Sequence, residues 1–134
     1  MTYQSNAGAY RANAILGSSR EQLVPLLYEH LLVNLTRGIA LMRKGEIEAR
    51  SGALQKAADI LFELLESLDF DGEGGQVAAR LAALYAFFLQ EISAAGRVPD
   101  PDRLERLLAM VERLHGAWRE AAASGGVTVA GGGR

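Results

Sequence analysis

The segment "VERLHG" sets Glu112 three residues before His115, a spacing that brings a carboxylate and an imidazole onto one face of a helix. This Glu-x-x-His unit is part of the ligand set of a carboxylate-bridged di-metal bundle. Such a site needs the unit on two helices and a further Glu from each of the other two. The second histidine, His30, has Leu27 three residues before it, so the second unit is missing and a metal-dependent bundle hydrolase or oxidase is short of ligands. His115 then reads as a helix residue at the edge of a core. "GEGGQ", from Gly72, has the glycines of a phosphate-binding loop but no Lys-Ser/Thr after them, and it serves as a loop punctuator. The serines at 18, 19, 51, 67, 93 and 124 fall in no Gly-x-Ser-x-Gly elbow. Asp69 and Asp71 sit among glycines, where solvated charge is expected instead of acid–base work. No catalytic residue, metal or cofactor is expected, and the chain reads as a binding protein and not an enzyme.

The elements that carry these residues are helical. Ser18 with Glu21 forms a capping-box pattern, and a first helix is predicted over 19–44, ending at Gly45, which can adopt the left-handed C′ conformation. Pro25 lies inside it and should kink the first turns. A second helix, 46–68, carries Ile47, Leu54, Ala57, Leu61, Leu64, Leu65 and Leu68 at helical spacing. "DFDGEGG" breaks the chain before a third, 75–95, with Val77, Leu81, Leu84, Tyr85, Phe88 and Ile92 on one face. The fourth, 101–123, is capped by Asp100 ahead of Pro101, or by Asp102 with Glu105. Its stripe is Leu104, Leu107, Leu108, Val111, Leu114, Trp118 and Ala122. Similar lengths and short connections predict an all-α antiparallel four-helix bundle over 18–123, with an arm over 1–17 and a disordered glycine-rich tail over 124–134.

Composition narrows the partners. A net charge of −2, with basic residues scattered among acidic ones, gives nucleic acid little to bind. The chain has no cysteine, which removes disulfides and thiolate chemistry. No signal peptide is apparent, and charge interrupts the apolar windows, so membrane insertion is not expected and the cytoplasm is the simplest location.

The stripes do not use all the apolar residues. In "LAALYAFFLQE", Phe87 points about 120° from the centre of its helix's stripe and Leu89 lies on the margin. Ile60 and Phe62 lie about 100° to either side of Leu61, and Leu26, Leu32 and Val33 fall outside the stripe of the first helix. Scattered exposed apolar side chains are ordinary. A surplus on three helices points further, to a surface that partner helices cover. Trp118, on a stripe, is a packing anchor or a binding hot spot. The competing reading is a self-associating bundle that hides the surplus in its own dimer.

Several stretches, in order, resemble the flagellar secretion chaperone family FliS. They are Ala9 and Tyr10 followed by Asn13, "EQLVPLLYEHLL" from Glu21, "GEIEARSGALQKAADILFELLESLD" from Gly45, "GGQVAARLAALYAFFLQEI" from Gly74 and "AWRE" from Ala117. The resemblance covers about residues 9–120. It implies a cytoplasmic export chaperone, monomeric or weakly dimeric. Such a chaperone binds the C-terminal segment of flagellin, prevents premature polymerisation and docks on the flagellar export gate. It further implies an arm lying over the empty groove through Tyr10. Ile60, Phe62 and Phe87 become candidate partner contacts, and Tyr85 and Trp118 occupy family positions that serve core or groove.

Overall fold

The computed structural model describes residues 20–123. The expected arm with Tyr10, the Ser18 cap and the glycine-rich tail lie outside the described residues. Within them the chain forms four helices: α1 (Arg20–Lys44), α2 (Ile47–Glu66), α3 (Gly75–Arg97) and α4 (Pro101–Ala123).

The connections follow from local chemistry. Gly45 takes φ +75° and lets its N–H donate to the Met42 carbonyl at 3.1 Å, while the Glu46 N–H donates to the Leu41 carbonyl at 3.0 Å. This paired Schellman pattern satisfies the last carbonyls of α1 and turns the chain back within two residues. α2 stops short of the expected Leu68. The Ser67 hydroxyl donates to the Leu64 carbonyl at 2.7 Å, and Leu68 closes a tighter bond to the Leu65 carbonyl at 3.2 Å. In the next turn the Asp71 N–H donates to Asp69 Oδ1 at 3.0 Å and Gly72 takes φ +83°. α3 runs two residues past the expected Ala95 before Val98 becomes extended. Of the two caps weighed for α4, Asp100 provides it: its Oδ1 accepts from the Arg103 N–H at 3.1 Å, with Pro101 opening the helix.

Cross-helix contacts fix the arrangement. Each helix packs on two neighbours, α1 and α3 both lying between α2 and α4. Arg43 near the end of α1 meets Glu105 near the start of α4 at 3.2 Å, Arg50 of α2 reaches the Gly96 carbonyl of α3, and Glu91 of α3 pairs with Arg103 of α4 at 3.2 Å. Neighbouring helices are therefore antiparallel, and the expected four-helix bundle is the fold. α1 continues through Pro25, whose missing N–H costs one bond in the second turn.

The core is built from the predicted stripes, with additions. Tyr28 of α1 and Tyr85 of α3 meet across the diagonal of the bundle, both essentially inaccessible, with their hydroxyls 2.7 Å apart. One hydroxyl donates to the other, which removes much of the cost of burying two polar groups. Burial raises the pKa of both phenols above the ordinary tyrosine range, and at Tyr28 the hydrogen bond to Tyr85 offsets only part of this. Ile47 and Val77, expected on the stripes, are exposed because each lies in the first turn of its helix, beyond the surface that the neighbouring helix covers. α3 is also long and apolar enough by composition to cross a membrane, contrary to the expectation from charge interruption. Ala78, Leu81, Tyr85, Phe88, Ile92 and Ala95 are instead buried against the other helices of the bundle.

Candidate partner-binding surface

α3 has more apolar surface than the core uses. Only 28% of its most apolar 18-residue window is buried, so its greasy character is not explained by internal packing alone. Of its charged residues, Arg80 and Glu91 lie off the outward row of Ala79, Ala83, Ala86 and Gln90, all exposed, while Arg97 continues that row at the C-terminal end of the helix. Small side chains on this row permit a partner backbone to approach closely.

The two sides of α3 differ. Gly96 accepts from Arg50 of α2, so the row Ala82, Ala86, Leu89, Ser93 and Gly96 lies on the α2 side. Glu91 pairs with Arg103 of α4, which places Phe87, one turn earlier, on the α4 side. On α2, the residues Ile47, Ser51, Ala58, Phe62 and Leu65 form the row bordering α3, and it contains no charge. Phe62 is 53% exposed and Phe87 41% exposed, so two phenylalanines flank the small-residue face of α3.

Ile60 does not join them. It follows Ala53 by two turns on the α1 side of α2, where Ala53 faces Gly38, and it is half-buried against the core. The three residues expected as anchors therefore occupy three different sides of their helices, and only Phe62 and Phe87 border a common face. Tyr85 and Trp118 are buried: Tyr85 bonds to Tyr28, and the Trp118 ring lies 6.4 Å from that of Tyr28. Their contribution to a surface is to hold α3 and α4 in place beneath it.

Glu112 and His115 do not act as a pair. Glu112 is exposed, whereas the His115 ring stacks on Tyr28 at 6.3 Å with its Nε2 buried, 3.8 Å from Glu29 Oε2 across the α1–α4 seam. His30 is on the surface, and its carbonyl accepts from Asn34 Nδ2 at 2.8 Å.

Sequence reasoning did not single out Tyr28 or Arg50. Both were signalled by register: Tyr28 falls four residues after Val24 and three before Leu31, and Arg50 falls four before Leu54, each on its helix's buried stripe.

The FliS family model, described as "Flagellar protein FliS", matches residues 2–125. The chain belongs to the FliS family. It is 32% identical over 112 residues to the flagellar secretion chaperone FliS of Campylobacter jejuni, covering 84% of this chain and 87% of that protein. It is 30% identical over 101 residues to the flagellar secretion chaperone FliS of Vibrio cholerae, covering 75% of this chain and 74% of the relative. It is 24% identical over 108 residues to that of Salmonella typhimurium, with 81% and 80% covered. FliS membership places this bundle in the flagellar secretion chaperone family, which implies a flagellar protein as its partner.

Proposed function

We propose that this bundle binds the C-terminal segment of flagellin in the cytoplasm, keeps it from polymerising and delivers it to the flagellar export gate. The observation that carries this reading is the small-residue face of α3, uncharged from Ala79 to Gln90 and flanked by exposed Phe62 and Phe87, on a FliS-family chaperone. A disordered segment that folds on binding loses chain entropy and needs extended apolar contact to offset it. A long face of this kind, with small residues along its middle and aromatic rings at its margins, matches an amphipathic helix laid along α3. Phe62 and Phe87 supply anchors, Ile60 packs α2 against the core on its α1 side, and Tyr85 and Trp118 hold the helices in register.

Mixing the protein with a flagellin C-terminal peptide and recording circular dichroism tests the reading. Helicity beyond the sum of the parts is the expected result, and strict additivity counts against it. Alanine at Phe62 and Phe87 should each weaken binding by about tenfold or more, the range of an interface anchor. Unchanged affinity in both would remove them from the interface. Light scattering addresses self-association, since a stable dimer buried over Phe87 would leave no free face.

A further inference from the structure

Arg50 is the one buried charged residue among the described residues, 9% exposed, and its surroundings do not neutralise it. Its Nη2 donates to the Gly96 carbonyl at a long 3.4 Å, and its Nε is buried without an acceptor. No carboxylate among the described residues pairs with it. A buried Nε donor without an acceptor is unfavourable until a water or an anion completes it.

Its position strengthens the point. Arg50 lies in the first turn of α2, and helical side chains lean back toward the N-terminus, so the guanidinium is directed to that end of the helix. The first bond into α2 runs from the Arg50 N–H to the Glu46 carbonyl, and Glu46 gives no side-chain cap. The N–H groups of Ile47, Glu48 and Ala49 therefore have no intrahelical acceptor. Unpaired donors at a helix N-terminus beside a buried arginine attract an anion. Ile47 at 63% exposure and Val98 at 72% occur at this same end of the α2–α3 seam, so the anion that fits is carried on an apolar chain. Glu46 and Glu48 oppose any anion here, so the approach of a carboxylate must be carried by apolar contacts at Ile47 and Val98, which a free inorganic anion cannot make.

We infer that the N-terminus of α2, with Arg50 between Ile47 and Val98, is a carboxylate-binding site that receives the free C-terminal carboxylate of the exported chain. The inference rests on the flagellin reading above and gives it a direction: the bound segment runs along the α2–α3 border past Phe62 and ends at Arg50. The location favours a chain end over a side chain because the seam itself terminates here.

Titration calorimetry with two forms of the same flagellin C-terminal peptide, free acid and C-terminal amide, tests it. The free acid should bind about tenfold more tightly, the scale of a hydrogen bond to a charged group. In Arg50→Gln that preference should vanish, and Arg50→Lys should retain part of it. Equal affinity of the two peptides for the unmutated protein overturns the inference while leaving flagellin binding intact. An acid preference that persists in folded Arg50→Gln overturns the role of Arg50. Failure of both peptides to bind removes the flagellin reading and this inference with it. The acid-against-amide comparison on the unmutated protein needs no variant to fold.

Discussion

The seam between α1 and α4 and the seam between α2 and α3 are built from opposite materials. Along α1–α4, polar side chains face one another: Arg43 meets Glu105 and, at 3.7 Å, Asp102, while His115 Nε2 lies 3.8 Å from Glu29 Oε2 and its ring lies against Tyr28. Along α2–α3, the bordering row of α2 carries no charge and the facing row of α3 is Ala, Leu, Ser and Gly. At its end Arg50 is buried with its Nε lacking an acceptor, and Arg97 donates to Ser93 of the α3 row at 2.8 Å. The first seam joins its helices through ion pairs, with only the buried Nε2 of His115 left without a hydrogen bond among its described side chains. The second has apolar surface and hydrogen-bond donors left over, which is what a surface awaiting a partner looks like.

Three measurements test this contrast. The largest effect belongs to the shared core: Phe88→Ala removes a fully buried ring and should lower unfolding free energy by about 3–5 kcal/mol in urea titrations. If the neighbouring Phe87→Ala cost as much, the division between core and surface at this point of α3 would be lost. Next is alkaline pH. Tyr28 and Tyr85 have folded pKa values raised by burial, so the folded protein holds their protons after the unfolded chain has released them. Their contribution to stability is complete below the ordinary tyrosine pKa near 10 and is lost as pH rises above it, by up to about 1.4 kcal/mol per pH unit for each group. Tyr85→Phe should flatten the slope of stability against pH above that point. The smallest effect on stability is expected on the open seam. Phe62→Ser should shift unfolding by no more than about 0.5–1 kcal/mol, since the ring is already half in water. A larger loss would show that Phe62 is structural.

Much of this was legible in the residues. Repeats at helical spacing located all four helices, Gly45 and Asp100 marked their ends, and the off-stripe angles of Phe62 and Phe87 foretold their exposure. Ile60 was harder because angle from a stripe does not say which neighbour stands on that side, and α1 stands beside Ile60. Ile47 and Val77 had stripe register but lie in first turns, where register no longer implies cover. The Tyr28–Tyr85 bond joins residues 57 apart, on helices separated by the bundle's diagonal, and no local pattern contains it. Arg50 was visible as a charge on an apolar stripe, but its lack of a counter-ion is a property of the assembled bundle.

Trp118 is the chain's sole tryptophan, and it touches the buried tyrosine cluster while lying away from the outer face of α3. The molecule thus has an optical gauge of its own interior. Emission should stay nearly constant when cargo settles on the outside and should redden if loading prises the helices apart. Fluorescence alone can therefore tell a rigid cradle from one that opens.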